Sequence, residues 1–288
     1  MKNNFYINYK KEINFFIDNA IKEDLNNIDH SSKASLSEKV KGQAVLIVKE
    51  KCVIAGLELA EIIFKKYDRN INFRYLINDG DKVNVGTKGF IVEGNSLSIL
   101  AMERLVLNCI QRMSGIASIT NRYKKIISKT DCKLLDTRKT TPNFRYPEKW
   151  AVSIGGGNNH RMGLYDALMI KDNHIDFGGG INQVLEKTKK YLSALEKEYD
   201  VIVETRNLKE VEEVLKHNFI TRILLDNMEI YEIKKALNLI NNKKLTEASG
   251  NINESNLLKI AETGVNFISL GCLTHSANPI DISLKVIN

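Results

Sequence analysis

Six short runs of apolar and β-branched residues recur through the second half of the chain: CKLLDT, DALMIKD, DVIVET, TRILLDN, LTEASG and NFISLG. Between them lie stretches of helical period such as INQVLEKTKKYLSALEKEY, LKEVEEVLKH and IYEIKKALNLI. This alternation predicts parallel βα units, and so an α/β fold. In a (β/α) barrel all strand C-termini open onto one mouth, where the active site lies. Each predicted strand here ends in a residue able to do chemistry: Asp136 with Arg138 and Lys139, then Lys171, Glu204, Asp226, Ser249 with Gly250, and Gly271. The last four ends are about 22 residues apart, a spacing that suits short helices and tight loops. The two small-residue ends, EASGN and SLGCLTHS, come last, where barrels commonly bind phosphate through backbone N–H groups.

The first hundred residues have a different texture. A helical YKKEINFFIDNAIKEDL precedes strand-like KGQAVLIVKEKCVIAG, a second helix at LELAEIIFKKY and short β segments in RYLINDGDKVNVGTKGFIVEG. Asp79-Gly80, Gly86, Gly89 and Gly94 punctuate these as turns. The expected organisation is an α+β module over residues 1–114, a barrel over 115–275, and a segment 276–288 that packs back on the first domain.

With 288 residues the chain can bury a full core. Its net charge of +7 comes from Lys spread along the whole length rather than from blocks of like charge. No aromatic-interleaved basic patch or reader motif accompanies it, which argues against nucleic acid and favours an anionic small molecule. Cys52, Cys109, Cys132 and Cys272 lie far apart, without metal-ligand spacing, and are expected to be reduced thiols. No apolar stretch reaches the roughly 18 to 20 residues that span a bilayer, and the N-terminus lacks a signal-peptide core. A cytoplasmic protein is expected.

Residues 136–175 are the densest part. Arg138, Lys139, Arg145, Lys149, Arg161 and Lys171 crowd around Gly155 to Gly157, with His160 and His174 nearby. Such a segment is suited to a multiply anionic small molecule. Taken singly, His160 and His174 could be structural hydrogen-bonding residues, and Glu204 and Asp226 could pair as rim ions with the basic cluster. A buried strand does not end in Lys without a partner, so Lys171 points to function.

Together DTRKTTP, GGGxNHRxGLxD, IKDNH, LLDN, EASGNI and SLGCLTHS resemble the quinolinate phosphoribosyltransferase family over essentially the whole chain. The resemblance implies an N-terminal α/β sandwich domain followed by an incomplete (β/α) TIM-like barrel, in a homodimer whose active sites are shared between subunits. It implies transfer of phosphoribose from phosphoribosyl pyrophosphate to quinolinate, with loss of carbon dioxide, in NAD synthesis. Residues implied to bind the substrates are Arg104, Thr137, Arg138, Lys139, His160, Arg161 and Lys171, with Lys139 and Lys171 also catalytic. Glu204 and Asp226 would be catalytic through Mg²⁺, and Ser249, Gly250, Asn251, Ser269, Leu270 and Gly271 would form phosphate loops. Asn143 replaces a usual Gly, Ile202 replaces a usual second acid, and the stretch from Glu23 to Ser32 lacks expected glycines.

Two other readings fit part of the pattern. A Schiff-base barrel lyase would use Lys171 alone, but leaves the Arg cluster idle. The molybdenum-transport-associated paralogues share the fold, but GGGNNHR and IKDNH are the forms of the quinolinate enzymes.

Overall fold

A computed structural model describes residues 4–287 of the chain. Its first part runs through α1 (Phe5–Asn8), α2 (Lys10–Leu25), α3 (His30–Ser35), β1 (Lys41–Val48), β2 (Cys52–Val53), α4 (Leu57–Tyr67), β3 (Asn72–Tyr75), β4 (Lys82–Val83), β5 (Lys88–Asn95) and the long α5 (Ser96–Ile126). The remainder comprises β6 (Lys133–Leu135), α6 (Arg145–Ile154), β7 (Leu168–Ile170), α7 (Asp172–Phe177), α8 (Ile181–Ser193), β8 (Val201–Thr205), α9 (Leu208–Leu215), β9 (Arg222–Asp226), α10 (Ile230–Ile240), β10 (Leu245–Ser249), α11 (Leu257–Ala261), β11 (Phe267–Ser269), α12 (Cys272–His275) and β12 (Ile282–Ile287).

Two compact units result, and the first is discontinuous in sequence. It takes the chain up to Asn121, then Lys139–Gly156, then the chain from Cys272 onward. Its antiparallel sheet has the order β12-β1-β5-β3, with β12 paired along β1 from Gln43 opposite Ile287 to Val48 opposite Ile282. Aromatic contacts pin α4 to this sheet: the Phe64 ring meets that of Phe90 edge-on at 6.4 Å, and Phe73 lies 4.4 Å from Phe90. The expected division at 114/115 falls within α5. Gly115 there lets another backbone segment approach, because a Cβ would sit 2.0 Å from the Asn278 carbonyl oxygen.

Inside the same unit Glu148 is completely buried. It accepts from Arg112 Nε at 3.1 Å, from Arg112 Nη2 at 3.0 Å and from the Thr141 N–H at 2.9 Å. Arg112 also donates to the carbonyls of Ala277 and Thr274, and the Thr274 hydroxyl donates to the Lys139 carbonyl at 2.7 Å. One buried ion pair thus ties α5 and α6 to the start of the excursion that carries Lys139.

The second unit holds six parallel strands in the order β6-β11-β10-β9-β8-β7. Nothing among the described residues pairs β6 with β7, so the barrel is incomplete, as expected. Every residue of β8 is buried, the pattern of a strand covered on both faces. The helices between strands carry an apolar stripe and defined ends: the Asn207 side chain caps α9 by accepting from Glu210 N–H, and Glu232 reaches back to the Glu229 N–H at the start of α10.

All seven non-glycine residues with positive φ among the described residues are asparagines. Asn143, at φ 63°, adopts the left-handed conformation that the usual Gly would supply, and Asn26 and Asn27 do so in the early turn without glycines. Asn is among the few residues that tolerate this region, since its short amide bonds locally. These departures from the family pattern therefore keep left-handed turns.

Candidate active site

Because the six strands of the second unit are parallel, their C-terminal ends share one end of the sheet. Thr137 and Arg138 follow β6, Lys171 follows β7, Glu204 is the last residue but one of β8, and Asp226, Ser249 and Ser269 end β9, β10 and β11. The predicted strand ends therefore do converge. Arg104 and Lys139 belong to the first unit, on α5 and at the start of the 139–156 excursion.

Lys171 Nζ lies 3.7 Å from Glu204 Oε2, with the Lys side chain 45% exposed and the carboxylate largely enclosed. Burial pushes the Glu204 carboxyl up, Lys171 opposes this, and the neighbouring Asp226 and Asp172 add to it. Asp226 is aimed by its neighbour: Asn227 Nδ2 donates to Asp226 Oδ2 at 2.7 Å, while Asn227 Oδ1 accepts from Asn251 Nδ2 at 2.9 Å. The Asn227 N–H also donates to the Ser249 carbonyl at 2.8 Å. Gly250 at φ +89° is required here, since a Cβ would fall 2.3 Å from Asn227 Oδ1. The acidic end of β9 and the small-residue loop after β10 are thus one hydrogen-bonded construction. Asn227 was overlooked as a functional residue, although its place directly after an acidic strand end was the signal.

Arg161 is half-buried and donates from Nη1 to the Ala167 carbonyl at 3.0 Å. Burial and then the positive charge of Arg138 lower its affinity for its own proton. The Asp166 carboxylate acts the other way on Arg161, and an anion bound at the two guanidiniums would add to its effect.

Several residues of the densest segment and of the strand ends are tied up within the fold. Asp136 is a clamp rather than a mouth residue: it is fully buried, Oδ1 accepts from the His160 N–H at 2.8 Å and Oδ2 from Asn159 Nδ2 at 2.6 Å. Leu270 spends its N–H on the Leu135 carbonyl at 3.0 Å, and Ser269 is buried with its hydroxyl on Glu247. Both hold strand ends, which leaves Gly271 as the small residue past β11. The glycine triplet serves packing and turning: a Cβ on Gly155 would meet the Ala117 carbonyl oxygen at 2.6 Å, and Gly156 turns at φ +90°. Lys149 is entirely buried on α6, and Arg145 Nε donates to Thr140 Oγ1 at 3.0 Å. His174 Nδ1 accepts from the Lys171 N–H at 2.9 Å, a structural role that fixes the start of α7.

His160 is buried too, and both ring nitrogens face groups inside the unit. Nδ1 accepts from the Arg161 N–H at 2.7 Å and Nε2 lies 3.5 Å from Glu247 Oε2. Glu247, fully enclosed, was missed in the sequence; it shares a strand face with Ser249, and that period-two relation was the available clue.

Two family models match the chain in succession, the quinolinate phosphoribosyl transferase N-terminal domain over residues 29–114 and its C-terminal domain over 116–285. The chain belongs to the quinolinate phosphoribosyltransferase family. Among its relatives, tobacco (Nicotiana tabacum) quinolinate phosphoribosyltransferase [decarboxylating] 2a, mitochondrial, is 44% identical over 93% of this chain and 80% of its own. The probable nicotinate-nucleotide pyrophosphorylase [carboxylating] of Synechocystis is 39% identical over 92% of this chain and 89% of its own. The solved nicotinate-nucleotide pyrophosphorylase of Francisella tularensis superposes with a TM-score of 0.86 at 38% identity, covering 96% of each chain. That of Ehrlichia chaffeensis gives 0.87 at 37% identity, over 95% of this chain and 98% of the other. The quinolinate phosphoribosyltransferase fold, an N-terminal α/β domain followed by an incomplete barrel, is the fold described above.

Proposed function

We propose that this protein transfers the phosphoribosyl group of phosphoribosyl pyrophosphate to the ring nitrogen of quinolinate. Pyrophosphate leaves from C1 of the ribose, the pyridine nitrogen forms the new bond, and the adjacent carboxyl departs as carbon dioxide, giving nicotinate mononucleotide for NAD synthesis. The observation that carries this reading, beside family membership, is the Arg138 and Arg161 pair, whose mutual repulsion an adjacent pair of carboxylates would relieve. Lys171 supplies further positive charge at the end of the sheet that also carries Arg138. Once the pyridine nitrogen is quaternary the ring itself holds the electron pair left by carbon dioxide, so the protein positions and neutralises. The GGGNNHR and IKDNH forms favour this activity over that of the molybdenum-transport-associated paralogues. Purified protein given quinolinate, phosphoribosyl pyrophosphate and Mg²⁺ should yield nicotinate mononucleotide by mass, and its absence would overturn the reading.

Glu204 and Asp226 suit Mg²⁺, which takes hard oxygen ligands and is held in such sites by one or two carboxylates plus substrate phosphates. Their mutual repulsion and the enclosure of Glu204 are conditions that a cation relieves. When bound, the ion would neutralise charge gathering on the departing pyrophosphate. Replacing either carboxylate by Ala is expected to weaken the donor and Mg²⁺ together while leaving quinolinate affinity in the absence of donor unchanged, as read by calorimetry. A shift confined to quinolinate would make the metal assignment wrong.

A homodimer with shared sites is part of the same reading. Arg104 is exposed on α5 and its side chain makes no hydrogen bond or ion pair with another described residue, as suits a side chain donated to a partner's mouth. Arg104→Ala and Arg138→Ala, each inactive alone, should complement when subunits exchange. A mixed dimer collects both lesions in one site and none in the other, so random pairing restores up to about one quarter of full activity. Exchange confirmed by mass with no gain in activity would mean that Arg104 does not serve a partner.

We place the protein in the cytoplasm. The four cysteines are free, and burial raises the thiols of Cys52 to about 11 and of Cys109 and Cys132 to about 12, which suits a reducing compartment. No helix among the described residues is long and apolar enough to cross a membrane. Cell fractionation tests the location, which in the tobacco relative 2a is mitochondrial by name.

A further inference from the structure

Within the second unit one carboxylate gathers four elements. Glu247, on β10, accepts from Arg222 Nη1 of β9 at 2.8 Å, lies 3.5 Å from His160 Nε2, and is served by the Ser269 hydroxyl of β11. The Arg222 guanidinium in turn lies over the Phe267 ring at 4.3 Å. Burial pushes the Glu247 carboxyl up, but the His160, Arg222 and Ser269 contacts outweigh it and hold it below the usual carboxylate range. Stability alone does not account for this arrangement, since a buried ion pair is costly to desolvate and apolar side chains of the same volume often hold strands as well. Orientation does account for it. Because His160 Nδ1 accepts the Arg161 N–H, the ring proton sits on Nε2, the nitrogen facing Glu247. The carboxylate therefore selects the tautomer whose other nitrogen anchors the Arg161 backbone.

We propose that Glu247 is a positioning residue for the anion grip: through the His160 ring it fixes the main chain at Arg161, and so presents that guanidinium beside Arg138. The proposal rests on the quinolinate-binding role given above to Arg161. It also gives His160 a different part from the direct substrate contact implied by its motif, because its Nδ1 holds the Arg161 backbone while its buried Nε2 faces Glu247 at 3.5 Å.

The test uses the full chain with Glu247→Gln combined with Arg222→Met, which removes both charges and leaves neither buried alone. The double variant is expected to bind quinolinate about 10- to 100-fold more weakly by calorimetry, in line with the cost of misplacing a binding group by about 1 Å. Phosphoribosyl pyrophosphate affinity should stay within about twofold of its original value on the same principle, because the misplaced group is not one that holds the donor. In ¹⁵N-histidine-labelled protein without ligand, His160 should show the Nε2–H tautomer before substitution and a mixture after it. If the double variant unfolds, Glu247→Asp keeps the charge for Arg222 but withdraws it from His160 by one methylene, and the same selective loss is expected. Unchanged quinolinate affinity in a folded variant, or an unchanged His160 tautomer, would overturn the proposal. Failure of the unaltered protein to form nicotinate mononucleotide would instead strike the functional reading, and the ligand-free spectra keep the two apart.

Discussion

Nicotinate is expected to react with a kcat/KM about 10⁴ below that of quinolinate, although its direct coupling would give the same nucleotide without decarboxylation. The difference between the two acids is the carboxylate next to the ring nitrogen. With quinolinate, two adjacent negative groups can meet Arg138 and Arg161, whose charges already oppose each other. With nicotinate one guanidinium keeps its neighbour's repulsion and gains no counter-charge, in surroundings where water compensates only partly. Sites built for a polar group reject analogues that lack it by large factors, because their own groups are left unpaired. Steady-state rates with each acid at saturating donor give the comparison directly. Similar values of kcat/KM would mean that the two guanidiniums do not both read the acid.

Lys171→Ala is expected to lower kcat by about 10² to 10³, the range seen when one preorganised stabilising group is lost. The surroundings of Lys171 determine what kind of loss this is. A Schiff-base lysine is activated by an apolar pocket or a second cation, whereas Lys171 is nearly half exposed and lies 3.7 Å from the Glu204 carboxylate. That environment favours an ammonium acting by charge. Borohydride added during turnover should therefore leave the mass of the protein unchanged. A reduced adduct at Lys171 would transfer the chain to the lyase mechanism.

What could be read in advance followed from periodicity. The six strands of the second unit were legible because parallel strands buried on both faces form continuous β-branched runs, and their polar ends stood out at regular spacing. Lys171, Glu204 and Asp226 were found this way, and they do meet at one end of the sheet. Glu247 escaped because it lies two residues inside its strand, where a charged residue looks like a boundary rather than an interior anchor. For Leu270 and Ser269 no local pattern announced that the Leu135 carbonyl takes the Leu270 N–H and that Glu247 takes the Ser269 hydroxyl. The role of the glycine triplet was left open for a related reason. Glycine serves anion binding and close helix approach equally well, and only the neighbourhood of Gly155 distinguishes them. In the discontinuous first unit the return of the last segment was expected and is seen in the β12–β1 pairing, whereas the 139–156 excursion was not, since the Arg112 and Glu148 pair that holds it links residues distant in sequence.

The pairing of β12 with β1 also bears on how the molecule is made. Gln43 emerges from the ribosome early, yet its partner in the sheet, Ile287, follows only after the whole six-stranded unit has been translated. Until then one edge of β1 is open, with unpaired backbone groups that invite another chain. β1, β5 and β3 can pair while synthesis continues, whereas the fourth strand of their sheet cannot join until the parallel unit has been made. The usual order, N-terminal domain first, is thus reversed in the last step of this sheet's assembly, which waits for β12.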